Sequence, residues 1–145
     1  MAKDLKINIE GTRLNIRVGA ILRHEKEVLI EVSTVGRNSV VPGGRIKINE
    51  SSRDALAREL MEETGVAITR EQAKLIKVFE NFFTYDGQDV HEIYFLYEYN
   101  LNDKEYAQLS ALTNNKDNST TYFKFDIKEN LAGYKLLPLE LVELI

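Results

Sequence analysis

The residues of this chain best suited to chemistry are four glutamates. Glu50 stands alone, and Glu59, Glu62 and Glu63 follow in the run Arg58-Glu59-Leu60-Met61-Glu62-Glu63-Thr64-Gly65-Val66, downstream of Pro42-Gly43-Gly44. On a helix, Glu59 lies three residues from Glu62 and four from Glu63, so all three project from one face. Carboxylates at these spacings repel by ~0.2–0.5 kcal/mol per pair, and here they crowd the negative end of the helix dipole. A helix shaped only for stability would carry lysines there. A hard divalent cation with oxygen ligands turns the same cluster into a favourable arrangement. Taken alone, the run also reads as a solvated acidic face. The glycine turn before it and the isolated Glu50 favour the cation.

The helix that must carry these groups is bounded by local signals. Ser51 or Ser52 is suited to its N-cap, with Arg53 and Asp54 in the first turn, and Gly65 stands where helices commonly end. The intervening residues contain no proline or glycine and are rich in Ala, Leu, Arg and Glu. Leu56 and Leu60 form an apolar stripe that docks on a core. Arg58 is placed to pair with Glu62 at i+4, or to reach back and brace Glu50.

Gly44 to Val66 resembles the signature of the Nudix hydrolase family, G-x5-E-x7-R-E-U-x-E-E-x-G-U with U a bulky aliphatic residue. Gly44, Glu50, Arg58, Glu59, Leu60, Glu62, Glu63, Gly65 and Val66 each occupy their positions without a gap. The resemblance implies an α/β fold, a Nudix-type α/β/α sandwich with a central mixed β-sheet. It implies Mg2+ as cofactor, with Mn2+ as a substitute, held by Glu59, Glu62, Glu63 and the Gly43 carbonyl. Arg58 and Glu50 are then braces, and Gly43, Gly44 and Arg45 line the substrate side of the turn. The implied reaction is hydrolysis of a phosphoanhydride in a nucleoside diphosphate linked to another moiety, such as ADP-ribose, a nucleoside triphosphate or a dinucleoside polyphosphate. Family members often take a further acid from outside the signature; Glu92 is the first candidate and Glu80 the second. Glu59 or Glu92 is the group to take the proton from the attacking water. The alternative is a non-catalytic nucleotide-binding module on the same fold. Lys47 stands where Glu is frequent, Asn49 where Gly is usual, and Ser39 where an aromatic often precedes the turn.

The whole chain is compatible with this reading but does not demand it. Its 145 residues are one domain's worth, so a single domain over 1–145 is expected. The formal net charge of −4 leaves no basic footprint for general nucleic-acid binding. With no cysteine there is no disulfide framework, thiol nucleophile or cysteine-bound zinc. The start of the chain lacks the apolar run of a signal peptide and no segment has the length of a membrane span, so a cytoplasmic protein without membrane contact is expected. The expected partner is a small nucleotide, and a homodimer is compatible with the resemblance.

In chain order, Leu5–Glu10, Leu14–Leu22 and Val28–Val32 read as strands of antiparallel hairpins, broken at Gly11-Thr12 and Glu25-Lys26. Residues 33–39 read as a polar loop, Val40-Val41 as a short strand, and 67–72 as a polar connection. Lys74–Thr84 and Val90–Asn100 form two β-rich runs about Asp86-Gly87, a hairpin-turn signal. The second run is largely apolar, as for a strand covered on both faces. Within it, Glu92 is costly to bury unless paired or metal-bound, and it reads equally as a site carboxylate or as half of a salt bridge. Phe82, Phe83 and Tyr85 offer faces for a nucleobase, although single rings are more often core. His24 reads as a wet-turn residue and His91 as structural. Residues 102–113 read as a loop holding a helical turn around Lys104–Leu109. A last strand over Thr120–Phe125, an Asp126-led turn and a Pro138-led helix close the chain.

Overall fold

The computed structural model describes residues 2–35, 38–112 and 114–145. Among the described residues seven strands form one mixed sheet: β1 (Lys6–Ile9), β2 (Thr12–His24), β3 (Glu27–Ser33), β4 (Gly43–Arg45), β5 (Lys74–Tyr85), β6 (Gln88–Asn100) and β7 (Thr121–Ile127). Their order is β5-β6-β2-β3-β7, with β1 and β4 also paired to β2. Strand β2 is the hinge of the topology. It runs parallel to β6 from Arg13–Val90 to Arg23–Asn100, and antiparallel to β1, β3 and β4 on its other side. The β5–β6 hairpin turns at Asp86 and Gly87, both at positive φ (52° and 77°), the backbone that an Asp-Gly pair adopts readily. Glu10-Gly11 makes the first turn in the same way.

Two apolar layers cover the sheet. On one face, Val18, Ala20, Leu22, Leu29, Tyr97 and Tyr99 pack on helix α1 (Ser52–Thr64) and on helix α2 (Asp103–Ser110). On the other, Ile21, Val28, Ile30, Tyr94 and Leu96 pack beneath a 3-10 segment (Lys128–Tyr134) and helix α3 (Glu140–Leu144). Alternation along each strand assigns neighbouring residues to opposite layers, so Glu92 shares the α3 face with Tyr94 and Leu96. No helix among the described residues is long and apolar enough to cross a membrane.

Helix α1 begins and ends on the expected signals. The Ser51 hydroxyl accepts from the Asp54 N–H at 3.1 Å, and Gly65, at φ 73°, donates its N–H to the Met61 carbonyl. Leu56 and Leu60 are buried as its docking stripe.

One segment is more ordered than its polarity suggests. Residues 103–110 form a regular helix because Asn102 and Glu105 make a reciprocal capping box, each side chain bonding the other's backbone N–H. Tyr99 then donates to the buried Glu105 at 2.6 Å. The expected loops at 33–39 and 102–113 include Gly36, Arg37 and Thr113, which lie outside the described residues.

Candidate active site

Arg58 organises the acidic face of α1. Its Nε and Nη2 grip the two Glu50 oxygens at 2.7 and 3.0 Å, Nη1 reaches Glu59 at 3.0 Å and Glu62 at 3.2 Å, and Nη2 also donates to the Arg45 carbonyl at 3.0 Å. Both partners expected for Arg58 are therefore engaged at once. The Arg58 hydrogen bonds hold the Glu50 carboxyl below the usual carboxylate range, against a smaller opposing effect of burial. Glu50 also accepts the Lys47 N–H at 3.0 Å. That turn contains Asn49 at φ 65°, a left-handed conformation. Glycine adopts it freely and asparagine is among the side chains that tolerate it best, which explains how Asn49 stands where glycine is usual.

Gly44 has a different task. A Cβ there would land on the Glu59 carboxylate, so the missing side chain lets Glu59 lie flat on β4. At Gly43 a Cβ would strike the Val18 carbonyl, because β4 pairs closely alongside β2 in the sheet. Burial raises the Glu59 pKa, and Arg58 opposes it only in part. Carboxylate oxygens of Glu59, Glu62 and Asp117 lie within 4.8 Å of one another. Glu62 and Asp117 are exposed and Glu59 is half-buried.

Glu63 turns inward and is only 4% exposed. Its Oε2 accepts from the Asn115 amide at 2.8 Å, while its Oε1 is buried without a hydrogen-bond partner among the described residues. The same amide nitrogen donates to Glu31 on β3, which also accepts from the Thr121 hydroxyl at 2.8 Å. Burial, then the charges of Glu31 and Glu59, push the Glu63 carboxyl up to about 9. Three converging carboxylates, with an orphaned buried oxygen on the adjoining residue Glu63, make an all-oxygen donor set, the kind a hard divalent cation prefers over softer metals. The residues present fit such an ion.

A cleft of about 1100 Å3 opens on the α3 face of the sheet. Its floor is Arg17, Glu92 and Tyr94, one wall is the end of β5 and its turn from Glu80 to Asp86, and the other is the segment from Leu137 to Glu140. Glu92, 5% exposed, sits here and not on the α1 face. Burial works to lower the Arg17 pKa, but Tyr94, Glu92, Glu63 and Glu31 more than reverse it, so the guanidinium stays charged. Arg17 is thus electrostatically coupled both to the cleft and to the carboxylates behind it. Burial pushes the Tyr94 phenol up to about 12.

The structure brings Glu50, Arg58, Glu59, Glu62 and Glu63 together beside Gly43 and Gly44. Phe83, Tyr85 and Glu92 meet instead at the cleft. Phe82, 66% exposed, stands at the rim against His91, with ring centroids 4.5 Å apart. Glu80 bonds His91 at 2.8 Å. The Arg45 side chain points to Asp4, 3.7 Å away, outside the cleft lining. Ser39 is buried, and its carbonyl accepts the Leu137 N–H, joining the turn to the C-terminal wall. Arg17, Glu31, Asn115 and Asp117 escaped the sequence reading. Arg17 and Glu31 are charges inside apolar strand runs, the signal that singled out Glu92. Asn115 and Asp117 lie in a polar loop that offers no local signal.

Comparison with known proteins agrees with this geometry. The family model described as NUDIX domain matches residues 13–134. A crystal structure of a mutator MutT protein from Bacillus halodurans superposes with a TM-score of 0.68 at 17% identity, covering 89% of this chain and 80% of that one. A MutT protein from Methanosarcina mazei Go1 gives 0.60 at 22% identity, with 94% and 92% covered. A C. elegans Ap4A hydrolase binary complex gives 0.60 at 18%, with 90% and 91% covered. At these identities the likeness speaks for the fold, and the family model carries the assignment. A capped helix with every signature position in place, a carboxylate cluster clamped by Arg58 and a match running through most of the sheet leave one reading: the chain belongs to the Nudix family of hydrolases.

Proposed function

We propose that this protein hydrolyses a phosphoanhydride bond in a small nucleotide of the nucleoside diphosphate-X type, using Mg2+ or, in its place, Mn2+. The observation that carries the reading is the convergence of Glu59, Glu62 and Asp117 within 4.8 Å, with the adjoining residue Glu63 holding a buried oxygen that has no hydrogen-bond partner among the described residues. Glu59, Glu62, Glu63 and Asp117, with the Gly43 carbonyl, would hold the ion. When bound, it neutralises charge on the diphosphate and lowers the pKa of a coordinated water.

The chain's own groups do the rest. Arg58 holds Glu59 and Glu62 in register and is itself held by Glu50, so the carboxylates do not splay apart under mutual repulsion. Arg17, charged and coupled to Glu63, offers a donor to a phosphate oxygen at the cleft floor. Phe83 and Tyr85 present ring faces to a nucleobase along one wall, and the other wall limits water access. Glu59, whose pKa burial raises, or Glu92, from the cleft side, would accept the proton of the attacking water.

The test is product release from a panel holding ADP-ribose, a dinucleoside polyphosphate and nucleoside triphosphates, with Mg2+ or Mn2+. Turnover of at least one compound, lost in excess chelator, is expected. Saturable binding without turnover of any compound would overturn the reading in favour of a nucleotide-binding module.

A further inference from the structure

We propose that Asn115 is a positioning residue that locks the acidic face of α1 to the loop carrying Asp117, so that one cation meets carboxylates from both. This rests on reading the cluster as a divalent-cation site. Asn115 is 4% exposed, and every polar atom of its amide is engaged. Nδ2 donates to Glu63 and to Glu31, while Oδ1 accepts the Asp117 N–H at 2.7 Å. Only one orientation of the amide works. Turned over, its oxygen would face two carboxylates and its NH2 would face an N–H. Each half therefore sets one arm of the site. The donor side fixes Glu63 through Oε2 and leaves Oε1 free, while the acceptor side fixes the backbone on which Asp117 stands. The neighbouring Lys116 N–H donates to the Glu63 carbonyl at 2.8 Å, seating the loop on the C-terminal end of α1. Glu31, held in turn by Thr121, is the anchor that the second N–H needs.

The experiment measures Mn2+ binding by titration calorimetry and by the loss of the free-ion electron spin resonance signal, without substrate, for wild type, Asn115→Ala and Asn115→Ser. Thermal unfolding in chelator reports folding separately. Removing a group that orients metal ligands weakens metal binding by about 10–100-fold. Asn115→Ala is expected in that range. Asn115→Ser keeps an acceptor for the Asp117 N–H and is less disruptive, so it carries the test if the alanine variant does not fold; about a tenfold loss is expected. Folded variants with a lower unfolding temperature and Mn2+ affinity within about threefold of wild type would make Asn115 merely structural and overturn the proposal. Wild type binding no Mn2+ at all would instead remove the cation reading beneath it.

Discussion

Raising the pH in the absence of divalent cations should destabilise this protein, and Glu63 is the reason. Its carboxyl is pushed from 4.5 up to about 9 by burial and by the charges of Glu31 and Glu59. A group that holds its proton more tightly in the folded chain than in the unfolded one favours the fold below its unfolded pKa. That contribution drains away as pH climbs toward the folded value. The interval from pH 6 to 8 lies wholly inside this window. A full unit of pH is worth about 1.4 kcal/mol for one proton, so roughly 3 kcal/mol is lost across the interval. For a chain of 145 residues that is a fall of roughly 8–10 °C in unfolding temperature. Glu59, also raised by burial, adds a loss of the same sign. Glu50, held below 4.5, is ionised throughout and adds none. The assay is thermal unfolding in chelator at half-unit steps, wild type beside Glu63→Gln. The variant has nothing to ionise at this position, so its slope should be shallower by about 1.4 kcal/mol per unit, and it should be the more stable protein at pH 8. On the proposed function, Mg2+ or Mn2+ would bind the ionised form, so stabilisation by either should grow with pH in wild type. Parallel slopes for the two proteins would refute the reasoning.

Three further outcomes follow from the same geometry. Glu62→Gln is nearly isosteric at an exposed position and removes one charge from the proposed cation site. Turnover should fall about 100-fold or more while unfolding in chelator is unchanged, checked by steady-state kinetics and calorimetry. Arg58→Lys cannot grip both Glu50 oxygens and the Arg45 carbonyl together. It should lose about 1.5–3 kcal/mol of stability in denaturant titration, along with most activity. Gly44→Ala places a methyl where the Glu59 carboxylate lies. Mn2+ affinity should drop at least tenfold, with a stability cost of about 1–3 kcal/mol, measured by calorimetry and thermal unfolding.

Much of this molecule is set within short stretches of chain. The cap at Ser51, the stop at Gly65 and the common face of Glu59, Glu62 and Glu63 depend only on helical spacing, so residues 51–65 determine them whatever surrounds them. The Asp86-Gly87 hairpin and the β-rich runs on either side are equally local. What no local rule supplies is the other half of the site. Glu31 meets Glu63 only because β3 pairs with β7 and brings Thr121 and the loop before it under the end of α1. Asp117 reaches Glu59 and Glu62 across more than fifty residues of sequence for the same reason. The parallel pairing of β2 with β6 places Arg17 beside Tyr94 and turns Glu92 away from the helix. A helix face is written in its own period, whereas the meeting of strand, loop and helix is decided by sheet register and crossover. Those arise from burying two apolar layers at once, a condition that only the whole chain can satisfy.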